Sequence, residues 1–350
     1  MNLVLLNLLA DTIFRHYRES NQRFANSHDE QGIVCVFAGA TSGTGASTLE
    51  RMATMLHSPT FYVIGRSAAR FVAQHTKLAT LNPNCKIAFL EADVSLLSDV
   101  DVVCKQIVQA EKKMDYLYMS PGLMPLNGAQ CSFPTFISSL RSDEQTDTKE
   151  HLDAGFTLSY YSRMRLVSNL LPLLRTSSRP VILSVLNAGA EKPLLETDFG
   201  LAQNWSFTAL LNHTVTMTSL AFSYLSQDPS NKDITFLHSA PGLVKTEIFS
   251  KLQAPEGSRL LWRVLLPVIK GAAGLMYWMM MAVSVEESGE RQALLLVSEE
   301  FEPGALRVDQ ACEVVPVVEN GVFEKYVEKG WGEKVWEHTV HVFETTLASN

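Results

Sequence analysis

The chain has 350 residues, 46% of them apolar and 19% charged, with a formal net charge of −8. It is too apolar to be disordered, and it is long enough for one large domain or two ordinary ones. No segment is basic enough to serve as a nucleic-acid footprint, so nucleic acid is not expected as a partner. Five cysteines, at 35, 85, 104, 131 and 312, are odd in number and scattered, with no C-x-x-C pair. That pattern fits free thiols in a reducing, cytoplasmic setting better than a disulfide framework or a metal site.

The N-terminus runs Met1 to Ala10 with no basic residue and then meets Asp11. A signal peptide is not expected there. Leu5, Leu8, Leu9 and Ile13 share one helical face, which predicts a docked amphipathic helix over roughly residues 1–30.

From residue 32 the pattern is strand, glycine turn, helix, strand. Ile33 to Ala38 is a continuous apolar run, as suits a parallel strand buried on both faces. Gly39, Gly43 and Gly45 follow, and then Leu49, Met52, Ala53 and Leu56 recur at helical spacing. Further strands are predicted at 61–64, 86–90, 115–119, 181–186, 234–238 and 293–297. Helices are predicted at 102–110 and 156–175 and around Met217, Leu220, Ala221 and Tyr224. Trp336, Val340, Phe343 and Leu347 share a face, predicting a C-terminal helix packed on the body. Strands alternating with helices imply right-handed crossovers. The expected fold class is α/β, a doubly wound parallel sheet in a single Rossmann-type domain over 31–300. A helical lid insert falls at about 251–285 and an extension at 301–350.

Within that insert, Gly271 to Val285 is uncharged for 15 residues, short of the ~20 needed to span a bilayer. A buried or lid helix is the better reading, with membrane-surface contact the alternative. Its methionines and aromatics suit a large apolar ligand, and they also suit an ordinary core. An apolar small-molecule substrate is the expected partner, and the sequence leaves an oligomer open.

Gly39-Ala40-Thr41-Ser42-Gly43-Thr44-Gly45 lies between a predicted strand and a predicted helix, the context that makes a glycine pattern informative. Gly39 permits a tight turn, Gly43 lets a pyrophosphate approach the backbone, and Gly45 allows helix to pack on strand. Free N–H groups at the helix start favour phosphate. Gly65-Arg66-Ser67 ends the second strand with no acidic residue for a ribose 2′-hydroxyl. Arg66 suits a 2′-phosphate instead, which points to NADP(H).

These motifs resemble the short-chain dehydrogenases/reductases, whose signature T-G-x-x-x-G-x-G is matched here except that Ala38 stands in place of the leading Thr. The resemblance runs over about 30–300. It is nearest to a subgroup common in fungal secondary-metabolite pathways, through Gly65-Arg66-Ser67, Tyr160-Tyr161-Ser162-Arg163, His213 with Thr216-Met217, and Glu287-Ser288-Gly289-Glu290-Arg291. The family pattern implies that Gly39, Thr41, Ser42, Gly43, Thr44 and Gly45 cradle the pyrophosphate. It implies further that Asp93 and Val94 meet adenine, although Asp93 also suits a turn cap. Ser120 and Gly122 would border the ribose, where Ser120-Pro121 departs from the usual Asn-Ala. Val244 and Thr246, in Pro241-Gly242-Leu243-Val244-Lys245-Thr246, would pass the carboxamide.

The family's catalytic Tyr-x-x-x-Lys is absent between 185 and 230. Trp205 or Phe207 takes the Tyr position, and Ala209 or Leu211 the Lys position. No proton donor stands there, since an unperturbed Tyr, pKa ~10, already needs a nearby cation. Leu186 falls at the family's Ser, with Ser184 on the same strand face. The helical Asn falls near Ser159 or Tyr160. Candidate replacements are Ser184, His213 and Tyr161, with Arg165 at i+4 from Tyr161 and Arg163 at i+3 from Tyr160 as phenol-activating cations. The expected function is an NADP(H)-dependent oxidoreductase with a non-standard proton relay. Its alternatives are a non-redox isomerase, cyclase or dehydratase on the same scaffold, and a non-catalytic stabilising partner.

Overall fold

A computed structural model describes residues 3–27, 31–122, 147–244 and 283–348. Most of the 251–285 insert, with Thr246, lies outside the described residues.

The N-terminal helix α1 spans Leu3–Ser27. The body follows in the order β1 Gln31–Ala38, α2 Gly43–Met55, β2 Ser58–Gly65, α3 Ala68–Leu81, β3 Lys86–Glu91, α4 Leu97–Ala110 and β4 Tyr116–Met119. A short turn of helix at Ala154–Phe156 and a π-helical turn at Thr157–Tyr161 lead into α5, Ser162–Leu174. Then come β5 Val181–Val185, α6 Phe207–Leu225, β6 Thr235–Ser239, α7 Val285–Val297 and β7 Gly304–Val308. The helices α8 Val322–Glu328 and α9 Trp331–Ala348 close the chain.

Among the described residues, seven strands form one sheet in the order β3-β2-β1-β4-β5-β6-β7, every pair parallel. The order turns back between β1 and β4, and in such sheets that switch point at the carboxyl ends of the strands is where ligands bind. Alternation along each strand divides the core into two. Val36, Leu117, Ile182 and Phe236 face α4, α5, α6 and the C-terminal helices, burying Val335 and Phe343 of α9. Phe37, Tyr118, Leu183 and Leu237 face α2, α3 and α7.

The run Ala293–Val297, read as the seventh strand, is instead the last turn and a half of α7. Its apolar residues lie under the sheet at Ala293, Leu295, Leu296 and Val297. A short apolar run fits a buried helix as well as a strand, and the upstream Ser284 decides the matter by capping α7 through the Glu287 amide at 3.0 Å. The seventh strand comes later, at Gly304–Val308, past the boundary expected at residue 300.

The expected N-terminal helix is present and docks through its second half. Tyr17 Oη donates to Ala311 O at 2.9 Å, and the Arg291 guanidinium lies 5.0 Å over the Tyr17 ring. Buried Asn21 donates to the Glu290 carboxylate at 2.7 Å. The side chains of Leu5, Leu8, Leu9 and Ile13 lie outside the described residues. No helix among the described residues is long and apolar enough to cross a membrane.

Helices α2 and α7 pack at Gly289, where a Cβ would lie 2.7 Å from Ser47 Cβ and 2.8 Å from its carbonyl carbon. Gly289→Ala is therefore expected to push the two helices apart and cost about 1–3 kcal/mol of stability. Urea denaturation of the two proteins measures this directly.

Candidate functional site

The glycine turn has the geometry a phosphate needs. Gly39 takes φ +83°, and a Cβ there would stand 2.5 Å from Pro121 N and 2.6 Å from Ser120 C. The turn after β1 is thereby pressed against the end of β4, and Ser120 Oγ secures it by donating to Gly39 O at 3.1 Å. Gly45 has a similar constraint, since its Cβ would be 2.4 Å from Gly39 O. Gly43 differs. It takes φ +59° with nothing within 4 Å of its Cβ position, so the backbone there faces open space. Helix α2 begins at this residue, Ser42 makes no side-chain cap, and the first turn holds no acidic residue. Uncapped amides at a positive helix end, beside exposed Thr41 and Ser42, make an anion cradle. These residues fit a pyrophosphate.

Around this cradle, Arg66 is exposed directly after β2. Asp93 Oδ1 accepts from Ser95 N at 3.0 Å and Ser95 Oγ at 2.8 Å, so this oxygen caps the turn before α4. Val94 is buried beside it. Gly122 is exposed at the rim, and Val244 pairs with Val283 in an isolated parallel bridge.

The two replacement donors expected from helices are committed elsewhere. Tyr161 does not meet Arg165. Its hydroxyl meets His338 Nε2 at 2.9 Å, and burial raises its pKa rather than lowering it. Arg165 forms a two-pronged pair with Asp101 at 2.6 and 2.7 Å and covers the Phe343 ring. Tyr160 turns to Thr339 Oγ1 at 2.7 Å, with its pKa likewise raised by burial. Tyr160 and Tyr161 lie in the π-helical turn before α5, and the C-terminal helix α9 supplies their partners. His213 accepts from Leu195 N at Nε2 (2.9 Å) and bonds Phe199 O through Nδ1 (3.1 Å), so both ring nitrogens are held by backbone. Its pKa is lowered, mainly by burial.

Ser184 is positioned differently. Arg163, fully buried on α5, donates from Nη1 to Ser184 Oγ at 2.8 Å and to Val185 O at 2.8 Å. The same guanidinium reaches Met119 O at 3.4 Å, Pro121 O at 2.5 Å and Leu158 O at 3.2 Å. One cation thus ties the ends of β4 and β5 together around Ser184. Burial lowers its pKa to about 10. The π-helical turn Thr157–Tyr161 ends two residues before Arg163, and such turns often re-aim side chains at functional sites.

A register row crosses five strands as Ala38, Met119, Ser184, His238 and Arg307. His238 is wholly buried, with burial first and then Arg163 and Arg307 lowering its pKa to about 3. Its Nδ1 meets Ser219 Oγ at 2.7 Å, and Ser219 Oγ donates to Glu191 Oε1 at 2.7 Å. Glu191 pairs with Arg307 at 3.2 Å, and Arg307 with Glu324 at 2.7 Å. Sequence reasoning passed over His238, Ser219, Glu191 and Arg307, and took Arg163 only as a partner for Tyr160. The available signal was a histidine inside the otherwise apolar strand Ile234-Thr235-Phe236-Leu237-His238.

A doubly wound parallel sheet with a glycine-rich anion cradle after its first strand defines a Rossmann-type α/β fold. The chain is 37% identical to "Oxidoreductase AN1596" of Emericella nidulans over 77% of this chain and 73% of that one. It is 32% identical to "Oxidoreductase lepF" of Aspergillus flavus over 95% and 97% of the two. It is 24% identical to "Short-chain dehydrogenase/reductase SAT2" of Stachybotrys chartarum over 91% and 94%. In fold it is similar to a Serratia marcescens short-chain dehydrogenase/reductase (TM-score 0.55, 16% identity, 81% and 99% covered). It is likewise similar to an NADPH-bound carbonyl reductase from chicken fatty liver (TM-score 0.54, 13% identity, 82% and 100% covered). No family model matches the chain. The chain belongs to the short-chain dehydrogenase/reductase family, a family of oxidoreductases.

The depressed pKa of His238 has a consequence for stability. Below the ordinary value of 6.5 the unfolded chain takes up a proton that the folded protein refuses until about pH 3. Stability from this group is present above 6.5 and lost as pH falls through that window, by about 1.4 kcal/mol per pH unit. His213 and His338 act with the same sign. His238→Gln is expected to reduce the acid slope by one proton's worth in urea denaturation between pH 4 and 6.5.

Proposed function

We propose that the chain is an NADP(H)-dependent oxidoreductase that interconverts a carbonyl and an alcohol on a bulky, apolar intermediate of secondary metabolism. The observation that carries the reading is the uncapped start of α2 at Gly43, open above a turn closed elsewhere by Gly39 and Gly45. Exposed Arg66, with no acid after β2, favours the 2′-phosphate form of the nucleotide. Two fold neighbours, the NADPH-bound carbonyl reductase and an NADPH-dependent reductase involved in bacilysin biosynthesis, agree with this choice. The relatives named as oxidoreductases support the redox part of the reading.

In this reading the α2 amides and the Thr41–Gly45 turn hold the pyrophosphate, and Arg66 the 2′-phosphate. Asp93, Val94, Ser120 and Gly122 border the adenosine, and Val244 and Thr246 the carboxamide. When bound, NADP(H) supplies or takes up the hydride. The chain's own work is to position the substrate oxygen and move its proton. Ser184, anchored by the buried Arg163 cation, is the hydroxyl best placed for that. The insert at 251–285 would supply the apolar cover for the substrate, in a reducing, cytoplasmic compartment.

Absence of Tyr-x-x-x-Lys between 185 and 230 favours, as a second reading, non-redox isomerisation, cyclisation or dehydration on the same scaffold. Titration of the purified chain with NADPH, followed by nucleotide fluorescence, separates these readings. NADPH should bind, and Arg66→Ala should weaken it by about 10–100-fold, the loss of one charge-assisted contact, while NADH affinity is little changed. No binding of either nucleotide at millimolar concentration would overturn both readings and leave the non-catalytic one. Binding without consumption, while an intermediate accumulates in a deletion strain, would favour the non-redox reading.

A further inference from the structure

Glu287-Ser288-Gly289-Glu290-Arg291 lies in the first two turns of α7, and its side chains reach three parts of the molecule. Toward the cradle, Ser288 Oγ donates to Thr44 Oγ1 at 3.3 Å. Gly289 packs on Ser47, and Glu290 pairs with Arg51 at 2.8 Å. Thr44, Ser47 and Arg51 all belong to α2, the helix whose start forms the cradle. Toward α1, the Glu290 carboxylate accepts from Asn21, and Arg291 lies over the Tyr17 ring. Toward the far strands, the Arg291 guanidinium donates to Gln310 O, in the turn after β7, and to Glu287 Oε1 at 2.5 Å. Tyr17 Oη donates to Ala311 O in that same turn at 2.9 Å.

The turn after β7 bears in its turn on the one after β6. Gly242 takes φ +70°, and a Cβ there would stand 2.9 Å from Gln310 Oε1 and 3.1 Å from Gln310 Cβ. Gln310 therefore lies against the backbone at Gly242. The residues that follow are bonded to the chain entering α7. Leu243 O accepts from Val283 N at 2.9 Å, one residue before the Ser284 cap. Buried Gln292, next after Arg291, accepts from Ser239 Oγ at the end of β6 at 3.4 Å. The start of α7 is thus bonded to α2 and also to the turns after β6 and β7. Arg291 is itself buried, and a buried cation is tolerable only when its donors meet acceptors. Its need for Gln310 O and Glu287 ties the turn after β7 to α7.

We propose that Arg291 is a positioning residue for the nicotinamide end of the nucleotide. It acts through Gln310 on the turn at 242–244, with Tyr17 of α1 as its brace. The proposal rests on the NADP(H) reading above, in which α2 holds the pyrophosphate and Val244 borders the carboxamide. It adds that α7 sets the spacing between those two ends, and that α1 is a working part of the site. A turn held in place before the ligand arrives need not be ordered on binding, and affinity gains by that saving. The bonds of Arg291 run to Glu287, Gln310 and the Tyr17 ring. Those to α2 come from Ser288 and Glu290. Loss of Arg291 therefore acts at the carboxamide end and spares the cradle.

Isothermal titration calorimetry of the full chain with two probes tests this. One is NADPH. The other is 2′-phospho-ADP-ribose, which keeps the 2′-phosphate and the pyrophosphate and lacks the nicotinamide. The wild type should bind both. Gln310 is exposed, so Gln310→Ala disturbs little else. Gln310→Ala and Arg291→Met should each weaken NADPH by about 3–10-fold, the worth of one hydrogen bond, and leave 2′-phospho-ADP-ribose within about twofold. Tyr17→Phe keeps the ring beneath the guanidinium and should give a smaller shift of the same kind. Gln310→Ala and Tyr17→Phe carry the test if Arg291→Met fails to fold. Equal weakening of both probes would make these residues merely structural and overturn the proposal, as would an NADPH affinity that none of the variants changes. In either case the wild type still binds both probes, and the cofactor reading stands. A wild type that binds neither probe would overturn the cofactor reading and the positioning role together.

Discussion

The site depends on one buried guanidinium. Arg163 sits in the layer between the sheet and α5 and gives its donors to Met119 O, Pro121 O, Leu158 O, Val185 O and Ser184 Oγ. Burying an unpaired cation costs several kcal/mol, and only a full set of acceptors makes it tolerable. Four of these acceptors are backbone carbonyls. Arg163 is thus a fastener between the ends of β4 and β5, next to the β1–β4 junction where the strand order turns back. The switch point gains a fixed shape and a positive charge from one residue.

The geometry around it follows. With the end of β4 fixed, Pro121 and Ser120 can press on Gly39, and Gly39 can set Gly45 against the turn. That contact chain leaves Gly43 and the start of α2 facing outward. On the other side, Ser184 is fixed in rotamer by Arg163, and His238 lies beside it in the row. A cradle for phosphate and a buried row of polar side chains are thereby built from adjacent strand ends. They share the central strands of the sheet.

The nucleotide half was legible in the sequence because it is local. Gly39, Gly43 and Gly45 carry their meaning in spacing and in the flanking strand and helix, and Arg66 in its place after β2. The second half was not, because it is made by register and by distant packing. Nothing in the spacing of Tyr161 and Arg165 reveals that α9 brings His338 to one and Phe343 to the other. Nor does any motif say that Ser184, His238 and Arg307 fall in one row, or that Glu191 in a loop reaches Ser219 on α6. The misread run Ala293–Val297 has a related cause. A buried helix turn and a buried strand show the same apolar letters, and only the cap upstream separates them.

The phosphate cradle of this scaffold is held in shape from Arg163. A crystal structure of the full chain grown with NADPH tests it most directly. The pyrophosphate is expected over Gly43 at the start of α2, Arg66 on the 2′-phosphate, and Arg163 still bound to Ser184 and the ends of β4 and β5. A nucleotide seated elsewhere on the protein, or an Arg163 side chain withdrawn from those carbonyls, would contradict it.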